Sequence, residues 1–184
     1  MPFIETGFSG LLIFEPVVHE DSRGYFFEAF NKNDFEKADI NVDFVQDNQS
    51  SSQFGVIRGL HYQLNPYAQT KLVRVLTGAI LDVAVDIRIG SSTFGKSFVL
   101  ELSAKNKKQL LVPKGFAHGF SVLSEKAEVF YKCDQFYNKD AEQGICYNDP
   151  LLKIDWKIPT DKMLVSEKDK TLPSLDLCKN NFVF

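Results

Sequence analysis

Only three cysteines occur in 184 residues, Cys133, Cys146 and Cys178, and none forms a CxxC or other compact ligand spacing. An odd, scattered set excludes a complete intramolecular disulfide framework and fits a reducing compartment. Histidine is equally scarce: His19, His61 and His118, with no HxH or HExxH pattern. A catalytic metal with the usual three protein ligands would have to recruit scattered groups, so no metal site is expected. No apolar run approaches the roughly 18 residues of a membrane-spanning helix, so no membrane association is expected. The opening MPFIETGF has neither a basic start nor a secretory apolar core, which points to the cytoplasm. P-loop and Rossmann glycine fingerprints are missing too. A formal charge of -3 argues against nucleic acid as a partner, although a local basic pocket is compatible with it.

What is present reads as one globular domain spanning residues 1–184, because 44% hydrophobic residues suffice for a sizeable core. Strand patterns dominate. In GAILDVAVDIRIG, Ala79, Leu81, Val83, Val85 and Ile87 alternate with Asp82, Asp86 and Arg88, which predicts a strand with one side in the core. SFVLELS repeats the alternation through Phe98, Leu100 and Leu102, and KQLLVP is a third apolar stretch ended by Pro113. Helix is sparse: NKNDFEKADI predicts a short one capped by Asn31 or Asn33, and PSLDLCKN predicts another near the C-terminus. Without a series of crossover helices, the pattern selects an all-β sandwich, jelly roll or barrel over a parallel βαβ fold.

Few side chains combine titratable chemistry with suggestive context. His61 lies in GVIRGLHYQ beside Arg58, Tyr62 and Gln63. An imidazole of ordinary pKa about 6.5 accepts a proton near neutral pH, so His61 is a candidate general base or else a hydrogen-bonded strand histidine. Strict alternation sets Arg58 and His61 on opposite faces, and both enter one pocket only if the strand is irregular, as with a bulge at Gly59. His118, between glycines in VPKGFAHGF, is a candidate partner for an anion or for His61; His19 reads as a surface loop residue. Lys71 is placed to stabilise an enolate oxygen, and Arg23 and Arg58 to pair with phosphate oxygens, unless they are solvated surface cations. Tyr131 shares an alternating face with Val129 and Cys133, as a proton donor or a buried tyrosine. Asp169 reads as surface unless the C-terminal segment folds back to His61.

Taken in order, RGYFFEAF at 23–30, FVQDNQS at 44–50, GVIRGLHYQ at 55–63, QTKLVRVLTGAILDVAVDIR at 69–88, VPKGFAHGF at 112–120, YNDP at 147–150 and LVSEKD at 164–169 strongly resemble the dTDP-4-dehydrorhamnose 3,5-epimerase family. The resemblance covers nearly the whole chain. It implies an all-β, cupin-like jelly-roll barrel with short peripheral helices and a C-terminal extension near the active site. The paired metal histidines of other cupins are not preserved around His61, in agreement with a metal-free family.

The family's roles carry over by position. His61 matches the base, Asp169 the residue that holds it, Tyr131 the proton donor and Lys71 the lysine near the sugar carbonyl. Arg23, Glu28, Gln46, Asp47, Asn48, Arg58 and His118 match nucleotide-sugar contacts, with Glu142 and Lys168 as additions and Phe26 flanking the thymine. The implied substrate is a dTDP-linked 4-keto-6-deoxyhexose, without a redox cofactor, and the implied assembly is a homodimer whose Arg23 and Glu28 complete the neighbouring pocket. The expected reaction inverts C3 and C5 of dTDP-4-dehydro-6-deoxy-α-D-glucose. Alternatives are inversion at C3 only, a noncatalytic nucleotide-sugar binder and, more remotely, a metal-dependent cupin oxygenase.

Overall fold

The computed structural model describes residues 3–184. In chain order its strands are β1 (Phe3–Glu5), β2 (Leu12–Phe14), β3 (His19–Asp21), β4 (Gly24–Phe26), β5 (Gln46–Gln53), β6 (Val56–Gln63) and β7 (Lys71–Thr77). There follow β8 (Ala79–Asp86), β9 (Ser97–Ser103), β10 (Gln109–Val112), β11 (Phe116–Val122), β12 (Lys126–Cys133), β13 (Glu142–Gly144) and β14 (Leu164–Val165). One sheet runs β1-β2-β10-β7-β12-β5 and the other β13-β6-β11-β8-β9, with β14 added beside β6 and β3-β4 forming a separate hairpin. Among the described residues α-helix is confined to α1 (Lys32–Glu36) and α2 (Glu167–Lys170), with a single 3-10 turn at Thr160–Lys162. No helix among the described residues is long and apolar enough to cross a membrane.

The expected jelly-roll barrel does not form. Each large sheet ends in strands that pair with nothing further, so the hydrogen-bonded paths stay open and neither sheet closes on itself. The all-β character stands, as two open sheets sharing a core. Val73, Leu110 and Val129 from the first sheet pack in one cluster with Ile80, Leu102, Phe120 and Val122 from the second. Burying apolar area at about 25 cal/mol per Å² drives this association without requiring closure.

The expectation of a one-sided β8 also fails. Val83, Val85 and Ile87 face outward from the shared core, yet they are buried beneath Leu152, Trp156 and Phe182 of the long C-terminal segment. The opposite face, with Ile80 and Ala84, looks into the space between the sheets and carries Asp82 and Asp86, both fully buried. The helix expected over PSLDLCKN is replaced by a turn. Asn31 does cap α1, its side chain accepting from the Asn33 backbone N–H.

Two features position the site. On β6, His61 pairs with His118 of β11 and Arg58 with Phe120, so three steps on one strand oppose two on the other. This is the irregularity that alternation required at Gly59, whose φ is +119°. A Cβ there would lie 2.6 Å from Gly119 Cα and 2.8 Å from the His118 carbonyl oxygen, so only glycine permits the close strand approach. Second, β14 returns parallel to the start of β6, pairing Leu164 with Val56, and leads into α2.

Candidate active site

The extra residue on β6 turns both Arg58 and His61 toward the space between the sheets. They border a cavity of about 640 Å³ that also reaches Lys71, His118, Tyr131 and Asp169. Arg58 is held by Nε–H donation to Ser52 Oγ of β5 at 3.0 Å, a tie between the two sheets.

His61 and Asp169 meet because α2 is presented to β6 by the β14 pairing. Ser166 caps α2, accepting from the Asp169 N–H at 3.1 Å, and this fixes the aspartate on the first turn. Asp169 Oδ1 lies 2.9 Å from His61 Nε2, and Oδ2 accepts the Gly59 N–H at 3.2 Å. Burial acts to raise the Asp169 pKa, but hydrogen bonding to His61, the His61 charge, and the Gly59 and Ser166 contacts together hold it below the usual carboxylate value. An ionised carboxylate only accepts, so the His61 nitrogen that faces it, Nε2, is the one that donates, and in the neutral imidazole the lone pair falls on Nδ1. Asp169 is 5% exposed and His61 31%, a buried orienting group behind a reachable base.

Across the cavity, the first sheet supplies Lys71 at the start of β7 and Tyr131 on β12. Tyr131 stands in register with Val73 and Asn48, and Lys71 with Cys133. Burial draws the Lys71 pKa down, opposed by its electrostatic interactions with Cys133, Asp82 and Glu142. Burial pushes the Tyr131 hydroxyl up, so it is protonated at neutral pH and fit to donate. His118 Nε2 contacts Asp82 Oδ1 at 2.8 Å, on the wall formed by β11 and β8.

A smaller hollow of about 340 Å³ continues from the same centre, sharing His61, Lys71 and Tyr131 and adding Gln46, Asn48 and Glu142. Glu142 pairs with Lys168 of α2 at 2.6 Å and accepts from the Tyr137 hydroxyl at 2.9 Å, joining three segments at the rim. Burial acts to raise the Glu142 pKa, and these two partners bring it below the usual value.

Other expected contacts lie elsewhere. Asp47 alternates away from Gln46 and Asn48 and pairs instead with Lys132 at 2.9 Å. Arg23, 88% exposed, pairs with Asp21 on the β3-β4 hairpin. Phe26 and Glu28 border a different hollow, with Phe14 and Lys37. The chain's own cleft therefore gathers His61, Tyr131, Asp169, Lys71, Gln46, Asn48, Arg58, His118, Glu142 and Lys168, but not Arg23, Phe26, Glu28 or Asp47.

Three contributors escaped the sequence reading. Tyr137 anchors Glu142. Gln63 donates to the Tyr67 carbonyl and accepts the Asn138 N–H, both at 2.6 Å, clamping two loops at the rim. Asp82 orients His118; a carboxylate inside the otherwise apolar ILDVAV was the available signal. No group of three or more His, Cys, Asp or Glu suited to a metal occurs among the described residues.

Comparison with known proteins finds relatives over most of the chain. The sequence model for dTDP-4-dehydrorhamnose 3,5-epimerase matches residues 5–176. A dTDP-4-dehydrorhamnose 3,5-epimerase of Shigella flexneri is 54% identical over 170 residues, 92% of this chain and 93% of that one. The crystal structure of the Elizabethkingia anophelis epimerase of that name superposes with a TM-score of 0.91 at 52% identity, covering 95% of this chain and 96% of the other. An epimerase from Legionella pneumophila, solved in complex with dTDP-4-keto-L-rhamnose, has a TM-score of 0.91 at 48% identity, over 95% and 93% of the two chains. With a family match spanning most of its length and relatives at about half identity throughout, this chain belongs to the dTDP-4-dehydrorhamnose 3,5-epimerase family.

Proposed function

We infer that the protein inverts C3 and C5 of dTDP-4-dehydro-6-deoxy-α-D-glucose to give dTDP-4-dehydro-β-L-rhamnose, with His61 as base and Tyr131 as donor. The observation that carries the assignment of roles is that these two side chains belong to facing sheets and border one cavity. The 4-keto group acidifies the hydrogens on both neighbouring carbons, because either carbanion delocalises onto oxygen as an enolate. His61 Nδ1 takes such a proton from one face, and the C–H electron pair moves to the carbonyl oxygen. The Lys71 ammonium stabilises that developing charge. Tyr131 returns a proton from the opposite face, which inverts the carbon; solvent then takes the proton from His61 and restores the one lost by Tyr131, and a second round treats the other carbon. Oxidation level is unchanged throughout, so the chemistry calls for no redox cofactor. Lys71 supplies the positive charge that a metal would otherwise provide, and a rate unchanged by EDTA checks this.

Arg58, His118, Gln46, Asn48, Glu142 and Lys168 bind the nucleotide sugar in this reading. Arg58 and Lys168 supply positive charge for the diphosphate. Arg23, Phe26 and Glu28 serve the cleft of a second copy in a homodimer, which is why they stand outside their own cleft on or beside an exposed hairpin. Sedimentation of the purified protein at twice the monomer mass checks the assembly. The unit is one domain, residues 1–184, working in the cytoplasm, where its three free cysteines stay reduced. Asp47, paired with Lys132 outside the cleft, has no substrate contact in this reading.

NMR of the product formed in D₂O tests the reaction. Deuterium at C3 and C5 with both centres inverted is expected. Exchange at both with inversion at C3 alone would make this a C3-only epimerase, and binding without exchange a noncatalytic one.

A further inference from the structure

Arg58 of β6 is held by one side-chain hydrogen bond, from Nε–H to the Ser52 hydroxyl of β5 at 3.0 Å. Ser52 is buried, whereas Arg58 is exposed on the wall of the large cavity. Among the described residues no carboxylate pairs with this guanidinium, and neither terminal nitrogen has a partner. Lys168, the other cation assigned to the diphosphate, is by contrast bound to Glu142 at 2.6 Å.

We propose that Ser52 is a positioning residue for diphosphate recognition: its hydroxyl fixes the Arg58 guanidinium without neutralising it and leaves both terminal nitrogens to the ligand. This rests on the epimerase reading above and extends it to a residue of β5 that does not itself border the cavity.

A guanidinium in a cleft can be held by a carboxylate or by a neutral acceptor. A carboxylate orients it but offsets the charge that an anionic ligand needs. A hydroxyl oxygen accepts the same Nε–H and leaves that charge whole. With Nε committed, the fork of Nη1 and Nη2 presents the remaining donors in one plane, which suits the oxygens of a diphosphate. Orientation before binding also removes the cost of freezing a long side chain when the ligand arrives.

Ser52 can act in this way because its own place is fixed. Alternation on β5 sends it inward and Ser51 outward, and its backbone stands in register with Ala127 of β12. The Phe54–Gly55 turn that leads on to β6 is tied down as well, with Phe54 N–H donating to the Glu125 carbonyl and Gly55 N–H to the Val122 carbonyl. A Cβ on Gly55 would collide with the Lys162 carbonyl oxygen, so this turn lies directly against the Thr160–Lys162 turn.

Ser52→Ala tests this, with calorimetric titration of dTDP as the probe. Binding should weaken by about three- to tenfold, the scale of ordering one long side chain, and KM should rise by a similar factor while kcat stays within about twofold of wild type. Ser52→Thr, which keeps the hydroxyl, should restore both, and Ser51→Ala, on the outward face, should change neither. In an Arg58→Met background Ser52→Ala should have no further effect on dTDP binding, because the group it orients is gone. A merely structural role would weaken binding equally in both backgrounds.

Wild-type dTDP affinity in Ser52→Ala, or an equal loss in the Arg58→Met background, overturns the proposal. Should Ser52→Ala not fold, ¹⁵N NMR of the arginine Nε–H groups in ligand-free wild type decides, with Arg58 assigned among the four arginines by its loss in Arg58→Lys. An Arg58 Nε–H protected from exchange with water is expected, and one that exchanges as fast as free arginine overturns the proposal. Wild-type protein that binds no dTDP would instead dispose of the nucleotide-sugar reading itself.

Discussion

Asp169 Oδ1 and His61 Nε2 stand 2.9 Å apart although 108 residues separate them in sequence. The contact exists because β14 lies parallel to β6 and aims the first turn of α2 back at the bulge. Contacts with His61, Gly59 and Ser166 hold the Asp169 pKa below the ordinary carboxylate value, which favours the charged form facing the imidazole. Asp169→Asn removes the charge that stabilises the imidazolium and leaves the amide free to present the wrong hydrogen-bonding group. Wash-out of the substrate's C3 hydrogen should slow by about 10²- to 10⁴-fold, with dTDP affinity retained. A slowing below tenfold would mean that the base is oriented otherwise.

His61→Ala should abolish hydrogen exchange at both C3 and C5 while largely retaining nucleotide binding. Both losses are expected together because His61 is the imidazole oriented by Asp169, while the other ring at the cavity, His118, is engaged with Asp82. Exchange surviving at either carbon, followed by NMR in D₂O, would rule out one shared base.

Tyr131→Phe separates the two halves of the reaction. Proton removal by His61 continues, so solvent deuterium still enters, but return from the opposite face fails and inversion drops further than exchange. Equal loss of both would argue against Tyr131 as donor.

Asp86 yields a stability prediction away from the chemistry. Its burial would raise its pKa, yet hydrogen bonds from the Arg88, Ser91 and Thr93 side chains and the Arg88 N–H lower it to about 2 from the ordinary 3.8. A folded-state pKa below the unfolded one means that ionisation favours the fold. That stability, about 2 kcal/mol by linkage, is fully present above pH about 4 and is lost as pH falls toward about 2. Urea unfolding should show Asp86→Asn less stable than wild type at pH 7, with the gap narrowing through that window. A gap independent of pH would assign the loss to packing.

Gly59→Ala places a methyl within 3 Å of the β11 backbone at a φ that side chains disfavour. Neither neighbour is a movable side-chain tip, so β6 and β11 must separate. We expect destabilisation of more than about 1 kcal/mol together with loss of exchange, since Arg58 and His61 would no longer share a face. Unaltered activity would show that the bulge does not set the site.

Much was legible beforehand because strand alternation, helix caps and charged interruptions are local. Asn31 as the α1 cap follows from residues a few positions apart, and so does the conflict between Arg58 and His61 that only an irregular strand resolves. The direction in which β8 faces was not legible. Its apolar residues mark a buried surface, but a long C-terminal segment covers that side, so the aspartate-bearing side is the one left to face the other sheet. Alternation says that two faces differ and not what covers each.

The sequence alone settled the β-rich class, the family and the short list of side chains able to move a proton beside a carbonyl, because residue identity and nearest-neighbour spacing carry that information. Tertiary structure decided the rest. It left the sheets open instead of closing a barrel, set Tyr131 across from His61, brought Asp169 from the far end of the chain, and turned Asp47 away while leaving the Arg23 hairpin outside the cleft. Those outcomes depend on which strands pair and which surfaces bury one another, contacts between residues tens to a hundred positions apart that no local pattern encodes.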